Sequence, residues 1–190
     1  MISTNSKPSE KLILALDGMN KNEILKLYDK LPDLAWVKVG LELFLKEGPD
    51  IIKTLKNKGL KIFLDLKFHD IPATVSAACK EAAKNGVELI TVHGCSGFDS
   101  LSQANIAALE GASQKGYQSP TLLAVTVLTS WTQDSFSDEL FIDQKIEDRV
   151  LGLLHLAKRA GIGGCICSPL EVSSIRKIFH DPFLLITPGI

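Results

Sequence analysis

The stretch KIFLDLKFHDIPAT, Lys61 to Thr74, places Asp65, Lys67, His69 and Asp70 within six residues, directly after an apolar run. Acidic neighbours favour the charged form of a lysine. An immobilised ammonium is a general acid, able to deliver a proton to a developing carbanion. A carboxylate fixed beside it disfavours a second negative charge at the same place in the ground state. Charges held this way in low dielectric act without metal or cofactor. Together they suit loss of CO₂ from carbon followed by protonation. The plain alternative is a strand that has simply surfaced, with Asp65, Lys67 and Asp70 as solvated loop residues.

The elements that would have to position these groups are legible as seven short apolar runs: Leu12–Asp17, Ala35–Gly40, Lys61–Leu66, Glu88–His93, Thr121–Leu128, Gly163–Ser168 and Phe183–Gly189. Nearly continuous apolar runs indicate strands covered on both faces, as in a parallel sheet. Between them helical periodicity covers Asn22–Lys30, Pro49–Lys58, Pro72–Asn85, Leu101–Gln114, Glu147–Ala160 and Pro169–Phe179. Four of these segments end in a stop glycine, in NKG, KNG, QKG and RAG. The pattern is a βα repeat, which makes an α/β fold, either a doubly wound sheet or a (β/α)₈ TIM barrel. Neither GxGxxG nor GxxxxGK[ST] occurs, which weakens the nucleotide-binding doubly wound alternative.

Function in either architecture sits at the C-terminal ends of the strands. There the sequence offers Asp17, Lys38, Asp65, Lys67, Asp70, His93, Thr129, Ser130 and the terminal TPGI. Side chains two apart on a strand share a face, so Asp65 and Lys67 are expected to project together above Phe63. Lys38, near the end of the neighbouring strand, would approach Asp65 laterally. Asp70 falls in the turn before a helix opened by Pro72, whose inner face is read as Val75, Ala78 and Ala82. An alternating row of lysines and aspartates in one concave mouth is the expected site.

At 190 residues and 45% hydrophobic content the chain can bury one core, and a single domain spanning residues 1–190 is expected, with residues 1–10 as a flexible N-terminal tail. Net charge of −1, with lysines and acids interleaved, leaves no footprint for nucleic acid or an anionic membrane surface. The polar N-terminus and the lack of a long apolar run point to a cytoplasmic protein with no membrane partner. Cys79, Cys95, Cys165 and Cys167 have neither zinc-site nor disulfide-framework spacing and read as small apolar residues. The long connection Ser130–Arg149 is either a solvated loop or a movable lid.

DLKFHDIPAT, together with LALD in the first run, KVG in the second, LTS after the fifth and TPGI after the seventh, closely resembles the bacterial type of orotidine 5′-phosphate decarboxylase. The likeness runs in order from Leu12 to Ile190. It implies a (β/α)₈ barrel that converts orotidine monophosphate to UMP with no cofactor and no metal. Carried over by position, Lys67 is implied as proton donor to C6 and Asp65 as the group crowding the departing carboxylate. Lys38 would hold Asp65 and bond to the ribose, and Asp17 would bind a ribose hydroxyl. Asp70, Ile71 and Thr74 would reach the site of a second subunit, which implies a homodimer. Thr129 would contact the pyrimidine, while His69 and His93 carry no implied catalytic role.

One departure accompanies the resemblance. The sequence stops at Ile190, where the family continues into an arginine, an eighth strand and a second phosphate-binding loop. The expectation is a natural protein that extends further; a chain truly ending there would lose most of its phosphate grip. Two rivals stand beside the decarboxylase. Metal-dependent relatives in the superfamily share DxKxxD but carry a metal-ligating glutamate where this chain has Lys38, an ammonium that repels Mg²⁺. A catalytically dead phosphate-ligand binding module is the other, disfavoured by the presence of all five charged site residues.

Overall fold

In the computed structural model, which describes residues 8–189, the chain forms two compact units. The first comprises the chain up to Leu66 together with Ala78–Ile90 and Ala108–Pro120. It holds β1 (Ile13–Ala15), α1 (Lys21–Tyr28), β2 (Trp36–Gly40), α2 (Leu41–Glu47), α3 (Asp50–Lys56) and most of β3 (Lys61–Phe68). Four elements, β3 together with α4 (Pro72–Ala83), β4 (Leu89–His93) and α5 (Phe98–Gln114), give residues to both units. The second unit contains β5 (Thr121–Val125), α6 (Gln133–Leu140), α7 (Ile146–Arg159), β6 (Gly164–Ile166), α8 (Val172–Ile178) and β7 (Leu184–Ile186).

Within each unit the strands are parallel and follow chain order. In the first, Ala15 pairs with Lys38 and Lys38 with Phe63, and Gly40 lies opposite Asp65. In the second, Ala124 pairs with Cys165 and Cys165 with Leu185. The continuous apolar runs have the expected cause: Val37, Val39, Ile62, Phe63 and Leu64 are buried in the first unit, and Leu122, Leu123, Ala124 and Cys165 in the second. Each large aliphatic or aromatic side chain so buried contributes about 1.5–3 kcal/mol. β6 requires glycine at its point of closest approach, since a Cβ on Gly164 would meet the Leu184 carbonyl oxygen at 2.6 Å.

All seven expected strands and all six expected helical segments are present among the described residues. Gly59, Gly86, Gly116 and Gly161, the four stop glycines, all have positive φ. Several boundaries differ. β3 continues to Phe68, so Lys67 lies inside the strand; β1 stops at Ala15 and β5 at Val125, which puts Asp17 and Thr129 in the following turns. Pro169–Glu171 is a 3-10 turn ahead of α8. The inner face of α4 runs through Val75, Cys79 and Ala82, with Ala78 only half-buried. Of the expected tail, residues 1–7 lie outside the described residues, and Pro8–Lys11 form a 3-10 turn.

Two helices were not expected. α2 begins directly after Gly40, the last residue of β2. α6 occupies the long connection, fixed by a capping box in which the Thr132 hydroxyl accepts from the Ser135 N–H and the Ser135 hydroxyl accepts from the Thr132 N–H. Gln133 closes that segment from the side: its amide donates to the Gln144 carbonyl at 3.0 Å and accepts from the Ile146 N–H at 2.9 Å. The connection is therefore not a plain loop. No helix among the described residues is long and apolar enough to cross a membrane.

Candidate active site

In the first unit three of the expected residues come together. The Lys38 ammonium donates to both oxygens of Asp17, at 2.7 and 3.0 Å, and stands 4.0 Å from Asp65 Oδ2. Register explains the reach. Lys38 is paired with Phe63, one pleat below Asp65, and the residue directly opposite Asp65 is Gly40, which has no side chain to block the lysine. A Cβ on Gly40 would lie 2.6 Å from Asp17 Oδ1 and 3.1 Å from Lys38 Nζ. Glycine at this position is thus part of the ion-pair geometry, a role that the KVG motif alone did not disclose.

Burial grades the cluster. The Asp65 side chain is 12% exposed and Lys38 19%, whereas Asp17 is 50% exposed. Attraction between partly buried charges is screened less than at the surface, so Asp65 is the carboxylate whose charge is felt most strongly nearby. Asp17, open to solvent, is the group accessible to a ligand hydroxyl. On the flank, the Gly18 N–H donates to a Glu42 carboxylate oxygen of α2 at 3.2 Å, tying the Asp17 turn to the unexpected helix.

The second unit carries Lys67, Asp70, Ile71, Thr74 and Thr129. Lys67 has φ of +50°, one of two non-glycine residues with positive φ among those described. Such a conformation costs about 1–3 kcal/mol and persists where surrounding structure imposes it. Its N–H is accepted by the hydroxyl of Thr91 on β4 at 2.9 Å. Lys67 thus lies inside β3 on a backbone that departs from the extended conformation of its neighbours. Asp70 is exposed, and one of its oxygens accepts the Ile71 N–H at 2.7 Å. Ile71 is 66% exposed, Thr74 sits exposed in the first turn of α4, and Thr129 is exposed in the turn after β5.

His69, His93 and Cys95 also converge. The two imidazoles are tilted against each other at 5.0 Å, Cys95 Sγ lies 3.8 Å from His69 Nε2, and the three ligand atoms fall within 4.8 Å of one another. Cys95 is exposed, while Cys79, Cys165 and Cys167 are buried. Burial pushes the Cys79 thiol up to about 12. Among the described residues this is the one set of three metal-ligating side chains. Its nitrogen and sulfur donors suit a borderline-soft cation and are the wrong chemistry for Mg²⁺.

Parallel strands alternating with helices, with a lysine gripped by aspartates at the strand ends, define an α/β enzyme of the kind whose catalytic groups sit beyond the C-terminal ends of its strands. Residues 10–190 match the family model described as orotidine 5′-phosphate decarboxylase / HUMPS family. The orotidine 5′-phosphate decarboxylase of Prochlorococcus marinus strain MIT 9211 is 61% identical over 183 residues, covering 96% of this chain and 76% of the relative. That of a second Prochlorococcus marinus strain is 59% identical over 184 residues, covering 97% and 77%. The crystal structure of orotidine 5′-phosphate decarboxylase from Lactobacillus acidophilus superimposes with a TM-score of 0.87 at 43% identity, covering 94% of this chain and 80% of that one. The chain belongs to the orotidine 5′-phosphate decarboxylase / HUMPS family, and within it to the bacterial type of the decarboxylase.

Proposed function

We propose that the chain decarboxylates orotidine 5′-phosphate to UMP by electrostatic catalysis that uses neither metal nor cofactor. That it is a carboxy-lyase follows from the family and the shared name of its relatives; the mechanism is our reading. The bond from C6 to the carboxylate breaks, its electron pair stays on C6, and CO₂ departs. The Lys67 ammonium gives C6 a proton and is recharged from solvent. Asp65 sits beside the leaving carboxylate and destabilises it before the bond breaks. Lys38 holds Asp65 and bonds to the ribose, Asp17 takes a ribose hydroxyl, and Thr129 contacts the pyrimidine.

The observation that carries this reading is the Asp17–Lys38–Asp65 arrangement, with Lys67 two residues beyond Asp65 on the same strand. It puts an ammonium where a metal-dependent relative would need a carboxylate for Mg²⁺. The whole is read as a (β/α)₈ barrel domain working as a cytoplasmic homodimer, with no nucleic-acid or membrane partner. Asp70, Ile71 and Thr74, all exposed, serve the partner subunit's site.

Orotidine monophosphate incubated with the purified protein in the presence of EDTA is expected to lose its absorbance as UMP and CO₂ form in equal amounts. Turnover of a pentulose phosphate instead, abolished by the chelator, would replace this reading with that of a metal-dependent relative.

A further inference from the structure

Lys67 poses a problem that the proposed chemistry does not solve: its ammonium must arrive reproducibly at one atom, yet it stands on a backbone turned into the left-handed region. In a regular parallel strand the Lys67 N–H would donate to a backbone carbonyl of the neighbouring strand. Here its acceptor is a side chain, the hydroxyl of Thr91, at 2.9 Å. Thr91 is fully buried, in the middle of β4, among apolar neighbours Ile90 and Val92 that are fully buried as well. Burial of a hydroxyl in such a run is costly unless it is hydrogen-bonded.

We propose that Thr91 is a positioning residue for Lys67, its hydroxyl holding the Lys67 amide so that the turned backbone aims the ammonium at the reacting carbon. The inference rests on the reading of Lys67 as proton donor. The turn changes the direction in which the Cα–Cβ bond leaves the strand, and with it the origin of a four-carbon arm. Without the hydroxyl, a part-buried N–H loses its acceptor, and the left-handed conformation loses one of the contacts that impose it. An arm of that length turns a small backbone change into a displacement of the ammonium large enough to matter for proton transfer.

Thr91→Val keeps the shape and removes the acceptor; Thr91→Ser keeps the acceptor. For orotidine monophosphate, Thr91→Val is expected to lower kcat about 10–100-fold, the scale of a misplaced catalytic group, with KM and inhibition by UMP nearly unchanged. The Lys67 amide should exchange with solvent faster in Thr91→Val, and Thr91→Ser should restore both kcat and amide protection. Should Thr91→Val fail to fold, Thr91→Ala carries the same expectations. Wild-type kcat with a protected Lys67 amide in the Val or Ala variant would overturn the proposal, as would a Ser variant as impaired as Val. An inactive wild-type protein would sink the decarboxylase reading alone, since amide exchange at Lys67 still tests the hydrogen bond without any turnover.

Discussion

In the first unit charges are joined through their side chains, and in the second a lysine stands on a constrained backbone. Asp17, Lys38 and Asp65 stand on or just past regular parallel strands, and their side chains fix one another: Lys38 grips Asp17 at 2.7 Å and reaches toward Asp65 through the space left by Gly40. Lys67 is fixed from below, by a backbone turned to φ of +50° and an amide held by a buried hydroxyl. Side-chain ion pairs locate charge, whereas a constrained backbone sets the direction of a long arm.

The substitution that strains this contrast most is Lys67→Ala. It should lower kcat by about 10³-fold or more, at the upper end of what general-acid catalysis supplies, while circular dichroism and melting stay near wild type. Persistent turnover would remove Lys67 from the proton-donor role. Lys38→Met removes the charge that Asp17 and Asp65 share and should lower kcat/KM about 10²-fold, the scale of one lost electrostatic contact. If its loss matched that of Lys67→Ala, the division of labour between holding and delivering would not stand.

Gly40→Ala sharpens the comparison at its narrowest point. The new Cβ would push the Asp17 carboxylate, a movable group, away from Lys38. KM should rise about tenfold, equivalent to about 1.4 kcal/mol, with kcat nearly kept, in contrast to the kcat loss expected where the Lys67 backbone is disturbed. Equal losses in kcat would show that the ion pair also governs the chemical step. The mildest test is chemical. Cys95 is exposed while Cys79, Cys165 and Cys167 are buried, so one thiol should react rapidly with a disulfide reagent in the native protein and the other three only on unfolding.

The two modes also differ in how far they could be read from sequence. Apolar runs, stop glycines and strand-end charges follow from periodicity and residue type, and so the strands and the Asp17–Lys38–Asp65 grouping were legible. The turned backbone at Lys67 leaves no mark in residue type, because no glycine or asparagine announces it. Thr91 was hidden inside ELITVH, where a threonine reads as an ordinary strand residue. α2 escaped notice because Leu41 and Leu45 face solvent and only Leu43 is buried, which blurs the apolar stripe. α6 escaped for the opposite reason: it is polar on nearly all sides, buries Phe136 alone and is held by its caps. The exposure of Cys95 could not be read from sequence, because a small apolar type does not reveal which side of a turn it occupies.

A crystal structure with UMP bound tests the placement of these charges most directly. The account predicts Lys67 Nζ about 3–3.5 Å from C6, the distance of a group poised to react, with Lys38 still joining Asp17 to Asp65 around the ribose. A Lys67 side chain directed into solvent, with C6 facing some other acid, would contradict it.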